Sequence, residues 1–136
     1  MKVYKTNEIK NISLIGGKGS GKTTLAESVL FECGVINRRG TIDSNSTVCD
    51  YFPVEKEYGY SVFSTLFYAE KSGKKINFID CPGSDDFVGN VVTALNVTDS
   101  ALMLIDGQYG VEVGTQNQYR TGSGINKPLI MAINKL

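Results

Sequence analysis

Eight residues from Gly16 to Thr23, GGKGSGKT, follow the spacing GxxxxGK[ST]. In such a loop the backbone N–H groups can close around phosphate oxygens, and the helix that follows adds unsatisfied donors and the positive end of its dipole. Lys22 would reach the β- and γ-phosphates, and the Thr23 hydroxyl would bind Mg²⁺. The alternative is a flexible turn that contains a lysine, but this pattern arises by accident only about once in a hundred chains of this length. These residues therefore predict a phosphate-binding loop.

The apolar patterns around this loop predict the elements that would position it. Residues 8–15 end in a β-rich apolar run, and residues 22–33 carry apolar side chains at helical spacing. The rest of the chain predicts strands over 61–69, 75–80, 101–105 and 128–133, a helix over 87–95 and a weaker helix over 113–120. The last two strands are apolar throughout, which is typical of parallel strands covered by helices on both faces. The order β-α-β-β-α-β-α-β predicts one α/β domain, a three-layer sandwich with a mostly parallel open sheet and one antiparallel strand.

Two later stretches favour guanine-nucleotide chemistry. In FIDCPGS, Asp80 ends an apolar strand and Gly83 begins a loop, which gives the pattern DxxG. Asp80 is suited to the Mg²⁺ shell, and the Gly83 N–H can approach a γ-phosphate because no Cβ obstructs it. The chain closes on MAINKL, where Asn134 and Lys135 begin the guanine-reading pattern NKxD. Each stretch alone is weak, since a strand ending in a Pro-Gly turn explains DxxG equally well, but the three patterns in this order at strand ends are typical of GTPases.

Composition excludes several other classes of function. Fourteen Lys and Arg residues balance fourteen Asp and Glu residues, so no global positive field would attract DNA or an anionic membrane. The absence of histidine excludes Ser-His-Asp and Cys-His catalysis within this chain. Cys33, Cys49 and Cys81 lack CxxC spacing, which favours reduced thiols with structural roles. With neither a secretory leader nor an apolar run long enough to span a membrane, we expect a soluble, cytoplasmic protein.

Four stretches indicate a narrower group of proteins than GTPases in general: GKTTL, DYFPVEKEYGYSV, FIDCPGSDDF and the closing INK. They resemble the amino-terminal GTPase domain of translational GTPases, and most of all elongation factor G and its paralogues. The similarity covers nearly the whole chain from Ile12. It implies that residues 1–136 are a partial GTPase domain of a larger multidomain protein, truncated before its last strand and helix. It also implies GTP and GDP as ligands, Mg²⁺ as the metal, and the ribosome as the partner of the remaining domains.

The resemblance assigns roles residue by residue. The catalytic roles fall on Lys22, Gly83 and Ser84. The Mg²⁺ ligands fall on Thr23, Asp80 and Ser61, the last at the position of a threonine in the family's first switch. Cys81 replaces another family threonine and is interpreted as a small buried side chain. The residues assigned to the nucleotide are Gly16, Gly17, Lys18, Gly19, Ser20, Gly21, Lys22, Thr23, Thr24, Asp80, Cys81, Pro82, Gly83, Ser84, Asn134 and Lys135.

Three positions depart from the family pattern. Ser84 stands where the family has a histidine that positions the attacking water, Gly19 stands where an acidic residue is usual, and Tyr58 stands where an arginine is expected. A serine is shorter than a histidine and cannot carry an imidazolium charge. The departures suggest a divergent paralogue or a ribosomal-protection type of protein. Three functions stay open: a GTP-hydrolysing ribosome factor, a GTP-binding switch with little hydrolysis, and another P-loop NTPase or a non-binding relic.

Two expectations concern mobility and the terminus. Residues 38–60 are polar and lack a clear period, and the resemblance places them in a segment ordered by Mg²⁺ and the γ-phosphate, so we expect poor order without GTP. The aspartate of NKxD would follow Leu136, so Asn134 and Lys135 alone should prefer guanine only weakly. Residues 128–133 would form a terminal edge strand, and such an edge favours self-association with another chain.

Overall fold

Five strands form one sheet in a computed structural model that describes residues 2–136. The strands are β1 (Ile9–Ile15), β2 (Thr65–Lys71), β3 (Lys74–Asp80), β4 (Ser100–Asp106) and β5 (Leu129–Asn134). The helices are α1 (Lys22–Glu32), α2 (Pro53–Tyr58), α3 (Val88–Val97) and α4 (Val113–Gly124), with short 3₁₀ turns at Thr6–Glu8 and Asp85–Phe87. The spatial order is β2-β3-β1-β4-β5, and only the β2–β3 pair is antiparallel. This architecture confirms the predicted fold class.

Apolar side chains lie on both faces of the central strands, because successive residues of a strand point to opposite sides. Leu14 belongs to the cluster on the α1 face, and the next residue, Ile15, belongs to the cluster on the α3 face. Ala26 and Leu30 of α1 complete the first cluster from the helix side, and Val91 and Leu95 of α3 complete the second. The sheet is thus the middle layer of three, as predicted.

The register of the parallel strands brings their carboxyl ends to one edge of the sheet. Leu14, near the end of β1, pairs with Asp80 at the end of β3. Asp106 at the end of β4 pairs with Asn134 at the end of β5. In open α/β sheets, ligands bind outside the carboxyl ends of the strands. The loops after β1 and β3 and the ends of β4 and β5 therefore meet at this edge.

The predicted strand over 61–69 is wrong in its first half. The strand begins at Thr65, because the backbone N–H groups of Val62 and Phe63 donate to the carboxylate of Glu55 and not to a neighbouring strand. The helix α2 was not predicted at all. Pro53 is its first residue and Gly59, with φ +68°, ends it, so the segment interpreted as lacking a clear period contains a helix bounded by these two residues.

Two of the three cysteines fit the structural role predicted for them. Cys49 and Cys81 are buried, and burial raises the pKa of the Cys81 thiol to about 12, which is typical of an unreactive structural side chain.

The edge strand β5 exposes apolar side chains at Ile130, Met131 and Ile133, while its self-association stays a prediction. None of the helices described over residues 2–136 is long and apolar enough to cross a membrane.

Candidate nucleotide-binding site

Residues 16–21 curl between the end of β1 and the first turn of α1. The Ser20 N–H donates to the Gly17 carbonyl at 3.2 Å, and the Leu25 N–H donates to the Gly21 carbonyl at 2.9 Å, which closes the first helical turn. Gly21 has φ +95°, a conformation that side-chain-bearing residues rarely adopt, and a Cβ there would collide with the Asn134 amide. The loop therefore presents backbone N–H groups and a helix N-terminus at one point, as phosphate binding requires.

Lys22 extends back across this loop from the start of α1. Its side chain is 6% exposed, and its ammonium donates to the carbonyls of Gly16 at 2.8 Å and Gly17 at 3.0 Å. Burial lowers the pKa of Lys22, and the nearby Asp80 carboxylate opposes that shift. The structure thus holds a buried cation inside the predicted phosphate loop.

The three residues predicted to bind Mg²⁺ meet beside this lysine. The Thr23 hydroxyl donates to Asp80 Oδ2 at 3.0 Å, and it lies 3.3 Å from the Ser61 hydroxyl. Asp80 is 2% exposed, and its other oxygen, Oδ1, is buried with no hydrogen-bond partner among residues 2–136. Burial raises the pKa of Asp80 to about 7, against the lowering effects of Lys22 and Thr23. Oxygen ligands with one unpaired carboxylate oxygen fit a small divalent cation such as Mg²⁺.

Asp50 belongs to the same cluster and was not predicted as a site residue. Its Oδ1 accepts a hydrogen bond from the Ser61 hydroxyl at 2.7 Å, and burial raises the pKa of its carboxyl group. Ten residues, six of them in the short helix α2, separate Asp50 from Ser61, so no fixed spacing links them in the sequence. The one feature of the sequence that could have identified Asp50 as a site residue is its position at the start of DYFPVEKEYGYSV.

The loop after β3 lies directly against the phosphate loop. A Cβ at Gly83 would lie 2.6 Å from Lys22 Nζ and 2.8 Å from the Lys18 Cα, so only glycine allows this approach. The Ser84 hydroxyl donates to Asp86 Oδ2 at 3.1 Å, within its own loop. Cys81 and Pro82 are buried beneath the loop, and Cys81 packs into the α3 core cluster. Cys81 and Pro82 therefore support the loop from below.

The two residues predicted to read guanine end β5 at the same edge. The Asn134 side-chain amide donates to the Ser20 carbonyl at 3.0 Å, which ties β5 to the phosphate loop. Lys135 has φ +57°, and its ammonium lies 2.9 Å from Asp106 Oδ2. The hydrogen bond from Lys135 lowers the pKa of Asp106, a site residue that sequence reasoning also missed. Asp106 is visible in the sequence only as the polar end of an apolar strand.

A cleft of about 450 Å³ opens over these groups, within the usual range for small-molecule sites. Of the residues predicted for the site from the sequence, the following line the cleft: Lys18, Gly19, Gly21, Lys22, Thr23, Thr24, Ser61, Gly83 and Lys135. The other predicted residues are not among those that line the cleft: Gly16, Gly17, Ser20, Asp80, Cys81, Pro82, Ser84 and Asn134. The structure therefore gathers the predicted residues at one edge, with some as lining and others as support.

Residues 38–60 cover one side of this cleft along a path fixed by two buried glutamates. Glu27 of α1 accepts hydrogen bonds from the N–H groups of Gly40 at 3.0 Å and Val48 at 2.5 Å. Glu55 of α2 accepts from Phe52 at 3.3 Å as well as from residues 62 and 63. Both glutamates are 1% exposed. The mobility of the segment stays a prediction.

Curated proteins that are similar to this chain include a ribosome-releasing factor and a tetracycline resistance protein. Mitochondrial ribosome-releasing factor 2 of Candida dubliniensis is 36% identical over 132 residues, which is 97% of this chain but 16% of that protein. A tetracycline resistance protein of Listeria monocytogenes is 33% identical over 129 residues, 95% of this chain and 20% of that protein. The chain thus spans less than a quarter of the length of these two relatives.

Solved structures and a family model complete the comparison. A crystal structure of a protein from Thermus thermophilus matches with a TM-score of 0.90 and 32% identity, covering 93% of this chain and 19% of that one. A bacterial selenocysteine-specific elongation factor matches in fold, with a TM-score of 0.71 and 18% identity over 91% of this chain and 19% of that one. The model of the elongation factor Tu GTP-binding domain matches residues 7–136. The predicted resemblance to translational GTPases is confirmed, and the chain belongs to the family of elongation factor Tu GTP-binding domains.

Proposed function

We propose that this chain is the GTP-binding and GTP-hydrolysing domain of a ribosome-associated translation factor related to elongation factor G. The buried Thr23–Asp80 pair carries the proposal, because Asp80 keeps one unpaired oxygen, Oδ1, and its carboxylate opposes the lowering of the pKa of Lys22 in the phosphate loop. Family membership supports a guanine nucleotide as the ligand. The name of one relative, a ribosome-releasing factor, supports translation as the setting.

Different residues would bind the phosphates, the metal and the base. Lys22 and the N–H groups of the phosphate loop would hold the β- and γ-phosphates, and the Gly83 N–H would approach the γ-phosphate from the other side. Thr23, Asp80 and Ser61 would hold Mg²⁺, with Asp50 orienting the Ser61 hydroxyl. Mg²⁺, when bound, would neutralise charge that develops on the phosphate oxygens. Asn134 and Lys135 would face the base side of the cleft.

A second candidate is a GTP-binding switch with little hydrolysis. Ser84 stands where the resembled factors have a histidine, and its hydroxyl is engaged with Asp86. The chain has no histidine that could replace it. Single-turnover GTP hydrolysis by the complete protein, with and without ribosomes, separates the two candidates. Stimulation by ribosomes supports the first, and retained GTP binding without stimulation supports the second.

Replacing Ser84 by histidine is expected to raise ribosome-stimulated GTP turnover. An imidazole can orient and polarise the attacking water, and general acid–base groups typically contribute about 10²–10⁴ in rate, so even imperfect placement should give about tenfold. Turnover is measured beside ribosome co-sedimentation, which reports whether the variant still binds. An unchanged rate with binding intact would mean that another group already orients the water.

Residues 41–46 are expected to exchange their amide hydrogens rapidly in the nucleotide-free protein. They are exposed, and the buried Glu27 carboxylate holds the chain only beside them, at Gly40 and Val48. A GTP analogue with Mg²⁺ should slow this exchange. Hydrogen exchange read by mass spectrometry tests the expectation, and strong protection before nucleotide is added would contradict it.

A further inference from the structure

Lys18 and Tyr60 join the phosphate loop to the 38–60 segment through a contact that the proposed function does not use. Lys18 lies in the phosphate-binding loop, and its ammonium sits 3.7 Å from the centre of the Tyr60 ring. Three other cation–ring contacts occur among residues 2–136, and their distances are longer, at 4.6 to 5.1 Å. A cation over an aromatic face within about 6 Å is attracted by the ring quadrupole. The Lys18–Tyr60 contact therefore attaches the 38–60 segment to the phosphate loop.

The position of Tyr60 in the chain gives this contact a consequence. The next residue is Ser61, whose hydroxyl lies between Thr23 and Asp50 in the predicted metal site. After Ser61 in the chain, the N–H groups of residues 62 and 63 donate to the Glu55 carboxylate. Before Ser61, Gly59 ends α2 and has no side chain that could anchor the backbone. Anchoring of Ser61 from the residues that precede it thus depends on the Tyr60 ring.

Lys18 also touches the loop after β3 through its backbone. A Cβ at Gly83 would lie 2.8 Å from both the N and the Cα of Lys18. Lys18 therefore contacts the Gly83 loop with its main chain and the Tyr60 segment with its ammonium. Its side chain is exposed and its contact with Tyr60 lies along the cleft, so substitution there leaves the core untouched.

We propose that Lys18 and Tyr60 form a positioning pair that holds the Ser61 hydroxyl against Thr23 at the metal-binding end of the cleft. The proposal rests on the proposed Mg²⁺-dependent GTP binding for its effect on ligands. It makes Lys18 a determinant of how readily the 38–60 segment closes over Mg²⁺ and the γ-phosphate. It differs from a direct phosphate contact, in which Lys18 would act without Tyr60 and on GDP as well as GTP.

The first readout is hydrogen exchange in the nucleotide-free protein. Lys18→Met and Tyr60→Leu should each speed exchange in peptides spanning 59–63 by about two- to fivefold, the range expected for an exposed cation–π contact. The double variant should exchange no faster than either single variant, because both remove the same interaction. Tyr60→Phe keeps the ring and should stay near wild type. Lys75→Met is the matched control, since Lys75 lies 4.6 Å from the Tyr68 ring in the β2–β3 hairpin, away from the site.

The second readout is Mg²⁺-dependent binding of guanosine 5′-[β,γ-imido]triphosphate. The Mg²⁺ concentration at half-maximal binding should rise by about two- to fivefold in both Lys18→Met and Tyr60→Leu, and GDP affinity should stay at its wild-type value in Tyr60→Leu. Unchanged exchange at 59–63, or weakened GDP binding in Lys18→Met with no effect of Tyr60→Leu, would overturn the pair. If wild type itself binds no analogue, the proposed function fails, and the exchange of the nucleotide-free variants still decides the proposal.

Discussion

Lys22→Ala is expected to weaken GTP binding by about 10- to 150-fold. The variant removes a charge-assisted contact to the phosphates, and hydrogen bonds of charged groups contribute about 1.5–3 kcal/mol. The structure shows how completely the ammonium is committed to this loop, with bonds to the carbonyls of Gly16 and Gly17. Isothermal titration calorimetry with GTP in excess Mg²⁺ measures the effect.

Lys22→Met separates loss of charge from loss of packing. Methionine keeps much of the buried stem but has no ammonium, so it should lose as much GTP affinity as alanine while unfolding at a temperature closer to wild type. Thermal unfolding of both variants without nucleotide provides the control. GTP affinity that is unchanged in both variants would exclude Lys22 from phosphate binding.

Asp80→Asn is expected to raise the Mg²⁺ requirement for GTP binding by about tenfold or more. The amide keeps the shape of the side chain but removes the negative charge, and contacts of charged groups contribute about 1.5–3 kcal/mol. Metal titration at fixed GTP gives the midpoint directly. Asp99→Asn, at the opposite edge of the sheet where Asp99 accepts from the Asn11 N–H, is the matched control.

Stability without metal gives Asp80→Asn a second, opposite signature. Burial raises the pKa of Asp80 to about 7, which shows that its ionised form is disfavoured where it lies. A neutral amide should therefore leave the metal-free protein at least as stable as wild type. A variant that unfolds more easily without metal, and that needs no more Mg²⁺ to bind GTP, would mean that Asp80 serves the fold alone.

The sequence predicted those parts of the molecule that follow a local rule. Continuous apolar runs marked β4 and β5, helical spacing marked α1, and GxxxxGK[ST] placed Lys22 and Thr23 at the junction where the structure has them. Asp80 and Asn134 were found because each ends a strand, and parallel strands bring their carboxyl ends together. Such rules need only neighbouring residues.

The features that were missed depend on contacts between distant residues. Asp50 joins the site through a hydrogen bond to Ser61, and Asp106 joins it through Lys135. The start of β2 was placed too early because Glu55 takes the N–H groups that a strand would have used. Neither Asp50, in an irregular segment, nor Asp106, at the end of β4, has a sequence spacing that identifies its partner, so these assignments required the fold.

Calorimetric titration of the complete protein with GTP, in Mg²⁺ and in EDTA, tests the central claim most directly. We predict saturable binding of one GTP per chain in Mg²⁺, about tenfold or more weaker in EDTA, and much weaker binding of ATP under both conditions. Lys22→Ala should weaken this binding by removing a phosphate contact, and Asp80→Asn should weaken it by raising the Mg²⁺ requirement. Absence of GTP binding by the wild-type protein in Mg²⁺, or equal binding with and without the metal, would contradict the proposed Mg²⁺-dependent GTP site.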